Sequence, residues 1–277
     1  MKVTNVFWLR ANLKRRALAA AFGCGLILAG GITGFPPGPL PAAGVESSVQ
    51  IPPGTVLPVR LGSELTLKKA SAGENLEALI MQEVPLPGGE KIPWRTRVKG
   101  SVVSVVKDGE GTGGSLTLKF DRVEDRKQEV PIQTSLRAIA SFNAVRSAAM
   151  PLGGQDIGTP TAWQVTMQIG GDVRYGDGGE VRNQMKQRVG KGVRGGVLVH
   201  VRANPARDCS GSLAGDDRLQ ALWVFSADAC GVYDLKGIRI LSDGKAAPRG
   251  EITLHFEKED TPLYAQTGIL LRTIAEP

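Results

Sequence analysis

VKGSVVSVVKDGEGTGGSLTLKF, residues 98–120, decides how the rest of the chain is read. Val98–Lys107 is dense in β-branched residues, which lose rotamer freedom in a helix and pack well on a pleated surface. The run stops at DGEGTGG, whose glycines admit turn conformations closed to other residues. SLTLKF then places Leu116, Leu118 and Phe120 on one face at a period of two. The pattern predicts two strands joined by a turn.

The same signature recurs on both sides. TVLPVRL (55–61) sets Leu57, Val59 and Leu61 against Val56, Pro58 and Arg60. EVPIQTSLRAIA (129–140) reads as a strand with Val130, Ile132, Thr134 and Leu136 on one side. VLVHVR, ALWVFS, GIRILS, EITLHF and TGILLRT follow after Gly196. SAGENLEALIMQEV (71–84) is the ambiguous piece. Ser71 and Glu74 have the spacing of a helix capping box, but Leu76, Ala78 and Ile80 alternate and PLPGG follows at once, which favours a strand. No segment after residue 45 has the periodicity of a helix of ordinary length. Composition agrees, with 5% aromatics, 36 glycines and 17 prolines in 277 residues. The expected class is all-β. Residues 46–142 are expected to form a β-barrel or sandwich domain, and 197–277 a second, small β domain. Between them, 143–196 reads as a glycine-rich linker with one hairpin, WQVTMQIGGDVRYG.

Residues 1–45 are expected to lie outside that fold. Arg10, Lys14, Arg15 and Arg16 precede the apolar run ALAAAFGCGLILAGGITGF, and FPPGPLPAAG then supplies a helix stop and small residues. This is the layout of a signal peptide, or of an inner-membrane anchor if it is not cleaved. The residues around Arg15 and Arg16 do not suit a twin-arginine signal, nor those around Cys24 a lipoprotein signal. The chain's formal charge is +7. Five of its cations and none of its acids lie in residues 1–45, so +2 is left for the remainder. A general affinity for polyanions is therefore not expected of the mature chain.

Cys24 lies in the signal-like run, which leaves Cys209 and Cys230 as an even pair. In an oxidising compartment the two are expected to form a disulfide. No neighbouring histidine marks Cys230 as a nucleophile.

The stretch IPPGTVLPVRL…AGENLEALIMQEV…KIPWRTRVKGSV…GGSLTLKFDRV resembles the opening of the TrbI-like β-barrel of type IV secretion and conjugation channels, and that of similar exported bacterial β proteins. Gly54, Thr55, Leu57 and Pro58 match the family's first block, Ala72-Gly73 its P-G segment, and Ile92, Pro93, Thr96, Val98 and Gly100 its second block. Arg95 stands where the family has a turn glycine. The resemblance covers residues 51–123 and implies a barrel, with a channel component as the associated role. The channel family also carries a long proline-rich spacer and a pore-forming helical hairpin, neither of which is recognisable here.

Other chemistries leave few traces. Gly109, Gly111 and Gly114, and again Gly190, Gly192 and Gly195, satisfy G-x-G-x-x-G. Strands rather than helices follow both, so both are expected to be turns and not dinucleotide sites. His200 and His255 each fall on the polar face of an alternating strand, and no third ligand marks a metal site. Glu124/Asp125 and Asp216/Asp217 are the carboxylate pairs on which a hydrolase of envelope glycans would depend. Both are expected to be solvated loop charges. No cofactor is expected.

One feature exceeds background: Arg182, Lys186, Arg188, Lys191, Arg194 and Arg202 fall within 21 residues with no acid among them. They are the candidate anion-binding surface, or else a soluble basic linker. An envelope polymer, an envelope protein or an anionic lipid surface are the partners considered. Nucleic acid is disfavoured because Tyr175 is the one aromatic nearby. The expectation is an exported structural or binding module of the bacterial envelope, periplasmic, cell-surface or secreted. The alternatives are a component of an envelope-spanning secretion or conjugation assembly and an envelope glycan hydrolase.

Overall fold

The computed structural model describes residues 50–109, 111–125, 128–149, 168–171, 174–175, 180–182, 187–193, 195–209 and 218–275. The expected signal segment lies outside these residues. Residues Ser47–Pro277 form one compact unit.

The protein is all-β. In chain order the strands are β1 (Val56–Leu61), β2 (Asn75–Ile80), β3 (Arg97–Lys107), β4 (Gly114–Asp125), β5 (Gln128–Pro131) and β6 (Thr134–Ala140). After helix α1 (Phe142–Ala149) come β7 (Arg174–Tyr175), β8 (Glu180–Arg182), β9 (Arg188–Val193), β10 (Gly196–Val199) and β11 (Gln220–Ala221). The last four are β12 (Gly231–Tyr233), β13 (Ile238–Ser242), β14 (Ile252–Phe256) and β15 (Gly268–Thr273). Two further two-residue ladders pair Leu65–Thr66 with Pro262–Leu263 and Val84–Pro85 with Lys91–Ile92.

Ten strands form one large sheet in the order β12-β6-β15-β1-β2-β3-β4-β14-β13, with β5 paired to β4. The sheet curls into a nearly closed barrel, and the Leu136 N–H donates to the Asp243 carbonyl across the seam at 2.7 Å. Curvature comes from the long hairpin β3–β4, whose ladder shifts register at Lys99/Gly100 and again between Val102 and Ser104. Such bulges bend and twist a strand. The hairpin's turn is the expected one, with the Asp108 N–H on the Gly113 carbonyl at 3.0 Å and Gly111 at φ 71°.

The strand over 75–80 forms as its alternation required, with Leu76, Ala78 and Ile80 buried. The capping-box pair is also real: the Ser71 N–H donates to Glu74 Oε2 at 3.1 Å and the Glu74 N–H to the Ser71 carbonyl at 3.0 Å. Here these bonds close a turn instead of starting a helix.

Three expectations need correction. The strands of 46–142 and 197–277 are not in separate sheets, since β15 lies between β1 and β6 and β14 pairs with β4. The alternating faces could not reveal this, because β1 and β6 are covered on both sides. The stretch 129–140 is two strands, β5 and β6, broken at Ile132-Gln133 where the Ile132 N–H turns to the Asp121 carbonyl. Lastly, Phe142–Ala149 is helical. The Ser141 hydroxyl caps it, accepting from the Ala144 N–H at 3.0 Å and donating to Asp234 Oδ2 at 2.6 Å. Eight residues are too few for a clear periodic signal, and the cap and tertiary contacts hold it.

Two cores share the wall of the barrel. Leu57, Val59, Leu76, Phe120, Ile139 and Leu254 are among those filling the inside. At the centre a gap of about 10 Å³ remains, lined wholly by apolar side chains. That is at the lower limit for one water (~10–15 Å³), and the lining offers a water no hydrogen bond. On the outer side, Val56, Ala138, Ala140 and Leu270 pack with Val181, Val197, Val199, Leu222 and Phe225, joined by Val145 and Ala148 of α1. The wall strands β1, β6 and β15 thus carry apolar residues on both faces.

Candidate functional site

The second sheet has five strands in the order β7-β8-β9-β10-β11, each antiparallel to the next. Its inner face is set by Val181, Gly190 and Val199, all buried and in register with one another. Gly190 has a sequence-level reason: a Cβ there would overlap the Leu198 carbonyl oxygen and Val199 Cγ1. The sheet is tied to the barrel by polar groups. The Val56 N–H donates to Gln220 Oε1 at 3.0 Å, and the wholly buried Gln82 bonds Val197 and Trp223. Beneath it Arg137 donates to the Arg202 carbonyl at 2.6 Å and the Ala227 carbonyl at 3.3 Å. Burial, with the nearby Arg272 charge, pushes its guanidinium down to about 10, which leaves it charged at neutral pH.

Three of the basic residues therefore lie in strands and not in a loop or linker. Arg182 belongs to β8, and Arg188 and Lys191 to β9. Arg202 follows β10, exposed, with its N–H on the Ala227 carbonyl at 2.8 Å. Lys186 and Arg194 lie outside the described residues. Glycine misled the sequence reading: Gly190 and Gly192 sit inside β9, Gly190 where backbone approaches closely, and of the three only Gly195, at φ 87°, is a turn residue. The second G-x-G-x-x-G is thus strand and turn together, whereas Gly109, Gly111 and Gly114 do occupy the β3–β4 turn and the start of β4.

Register brings three arginines together. Arg174 of β7 is directly opposite Arg182 of β8, and Arg182 is directly opposite Arg188 of β9. Lys191 is opposite Glu180, whose Oε1 lies 3.5 Å from Arg188 Nη1. The ladder shifts between Val181 and Arg182, so Val189 is the extra residue that keeps Arg188 and Lys191 both exposed. Like charges directly opposite weaken a sheet, by about 0.2–1 kcal/mol per pair. Arg174 was missed in the sequence because it precedes the basic run. The DGG at 177–179 is the turn signal that could have placed it opposite Arg182. The expected hairpin over 163–176 lies mostly outside the described residues; its Arg174–Tyr175 end pairs with β8.

The barrel's outer face treats charge differently. Lys99 and Arg122 are opposed across β3 and β4, but Lys99 reaches Glu124 at 3.1 Å and Glu129 at 2.7 Å, and Arg122 reaches Asp121 at 3.0 Å. Arg97 meets Glu77 at 3.3 Å and Glu124 at 3.8 Å. The like-charged rung Lys99/Arg122 is thus neutralised by neighbouring acids. Glu124 and Asp125 end strand β4 instead of lying in a loop, and the Glu124 carboxylate is occupied by these cations. Asp216 and Asp217 lie outside the described residues.

Cys209 and Cys230 are joined by a disulfide, with Cα atoms 6.0 Å apart. A two-way backbone pairing of Asn204 with Cys209 holds one end. At the other, the Cys230 N–H donates to the Tyr233 hydroxyl at 2.9 Å, and Arg207 stacks on the Tyr233 ring at 4.4 Å. His200 is exposed, and His255 is half-buried on β14 opposite Arg239. Among the described residues no three His, Cys, Asp or Glu side chains converge as metal ligands, and no helix is long and apolar enough to cross a membrane.

Compared with protein-family models, curated proteins and solved structures, the chain matches none.

Proposed function

We propose that the protein is an exported, non-enzymatic structural or binding module of the bacterial cell envelope, working through its surface. The observation that carries this reading is the filled barrel: a 10 Å³ apolar gap has no room for a ligand, so recognition falls to the outer faces. The Cys209–Cys230 disulfide supports an oxidising compartment. Fractionation of cells producing the full chain tests it. The protein is expected with the envelope or outside the cell, and recovery in the cytoplasm would refute it.

A component of an envelope-spanning secretion or conjugation assembly is a second reading. It is favoured by the turns of the TrbI-like blocks: Gly54 is left-handed at φ 85°, and Arg95 adopts φ 68° at the family's glycine position, with its guanidinium 5.0 Å from the Trp94 ring centroid. The blocks form β1, β2 and β3, adjacent in the barrel. In-cell cross-linking should then yield ring-sized oligomers, and a monomer throughout would count against it.

A further inference from the structure

We propose that two aromatic turns on the barrel, Pro93–Thr96 and Tyr264–Thr267, form with Arg95 and Arg60 a two-station surface for a linear, carboxylate-bearing polysaccharide. The inference deepens the binding-module reading and rests on it.

The two turns are built alike. In the first, the Thr96 N–H donates to the Pro93 carbonyl at 3.3 Å, and Arg95 sits third at φ 68° with its N–H on the Ile80 carbonyl at 2.8 Å. In the second, the Thr267 N–H donates to the Tyr264 carbonyl at 3.1 Å, and Gln266 sits third at φ 72° with its N–H on the Leu61 carbonyl at 2.7 Å. A left-handed third position favours glycine, and long side chains adopt it at a cost. Both side chains are put to use. The Arg95 guanidinium stacks on the Trp94 ring at 5.0 Å, and Gln266 Oε1 accepts from Arg60 Nη1 at 3.3 Å. Trp94, 56% exposed, and Tyr264, 55% exposed, are the two aromatics among the large apolar side chains left in water. Strain that fixes a ring in water contributes nothing to the core, whereas it does prepare the ring for a partner.

The turns share the outer face of the wall. Arg60, Leu79 and Arg97 are directly opposite one another across β1, β2 and β3, while Val59, Ile80 and Val98 point inward to the barrel core. The first turn leads into β3 and the second into β15, three strand spacings away, or ~14 Å across the sheet. Each station thus has an exposed ring with a guanidinium attached to its turn. Arg60 is held by the Gln266 amide and Arg95 by the Trp94 ring, neither by a carboxylate.

Two like stations on one face suit a ligand that repeats. A uronic-acid unit has the matching chemistry: the C–H face of a pyranose stacks on an aromatic ring, and its carboxylate takes paired hydrogen bonds from guanidinium. The wall between the stations is close to neutral, because Arg97 is occupied by Glu77 at 3.3 Å and Glu124 at 3.8 Å. Nucleic acid is the weaker occupant, since its backbone needs a continuous basic track and would meet those two carboxylates. A second copy is weaker too, because a two-fold contact would set this arginine-bearing face against itself.

The test is calorimetric titration of the purified, oxidised full chain with polygalacturonate and with alginate. The wild type should bind at least one of them and should not bind neutral dextran. Trp94→Ala and Tyr264→Ala should each weaken binding about tenfold, with melting temperatures close to that of the wild type because both rings are exposed. Arg95→Gly separates binding from folding. It relieves the left-handed position, so its melting temperature should equal or exceed that of the wild type while binding falls about tenfold. Lys236→Ala removes one charge from an exposed turn elsewhere on the barrel and should leave binding within about twofold. Failure of folded wild type to bind either polyuronate would overturn the proposal. So would binding that survives the loss of either ring, an equal loss in Lys236→Ala, or equally tight binding of dextran. Oligodeoxythymidylate binding that depends on Trp94, without polyuronate binding, would assign the stations to nucleic acid and overturn it too. None of these results depends on where the cell places the protein, so the envelope reading stands or falls separately by fractionation.

Discussion

The Trp223 backbone N–H donates to Gln82 Oε1 at 2.7 Å, and Gln82 Nε2 in turn donates to the Val197 carbonyl at 2.9 Å. One wholly buried amide thus joins the end of the β2 segment to the second sheet. Gln82→Leu keeps the volume and strands the buried Trp223 N–H, while the Val197 carbonyl keeps its bond from the Leu222 N–H at 3.1 Å. It should destabilise the fold by about 1–3 kcal/mol. Urea denaturation should show a single transition moved to lower urea with its slope unchanged. Two separated transitions would mean that the sheets fold independently.

The disulfide closes a loop with a sequence separation of 21 residues. Reduction should lower stability by about 3 kcal/mol on the chain-entropy account. Cys209→Ser/Cys230→Ser should match the reduced wild type, and reductant should have no further effect on it. Equal denaturation curves with and without reductant would contradict this.

Gly190→Val should cost about 1–3 kcal/mol, because its side chain would overlap the Leu198 carbonyl and Val199. Thermal melting measures it. No loss would mean that β9 does not pack on β10 as described.

Individual strands were legible in the sequence where one face was wet. Leu76, Ala78 and Ile80, or Leu116, Leu118 and Phe120, could be read directly from alternation. Membership in a sheet was not legible, because β1 and β6 are apolar on both faces and so carry no sign of which neighbour they pair with. In β6 the register shift falls opposite Leu270/Leu271, which puts Leu136 and Ile139 in the barrel core while Ala138 and Ala140 face the second one. No period-two rule anticipates that. The pairing of Cys209 with Cys230 followed from counting. The basic residues were visible as a run, but Gly190 and Gly192 imitated a loop, and the row with Arg174 depends on a register that only the folded sheet defines.

The outer charge lattice of the barrel gives a pH dependence. Partial burial works against charged Asp121, but the hydrogen bonds and charges of Lys119 and Arg122 together outweigh it and hold its carboxyl below the usual aspartate value. The Lys99 hydrogen bond and charge hold Glu129 below its usual value as well. Carboxyls lowered on folding contribute stability that is present above their unfolded pKa and lost as pH falls through the folded one. Stability should therefore fall below about pH 4, and the fall should shrink in Asp121→Asn and at high salt. Urea denaturation at about pH 7 and about pH 3 compares the two proteins. The same slope in both would remove Asp121 from the account.

The central claim is that this barrel works outside the cytoplasm as a disulfide-locked surface module. Acid trapping of cells producing the full chain, then alkylation under denaturing conditions before and after reduction, tests it most directly. The account predicts that Cys209 and Cys230 are modified only after reduction and that the protein fractionates with the envelope or the medium. Free, alkylated Cys209 and Cys230 in protein recovered from the cytoplasm would contradict it.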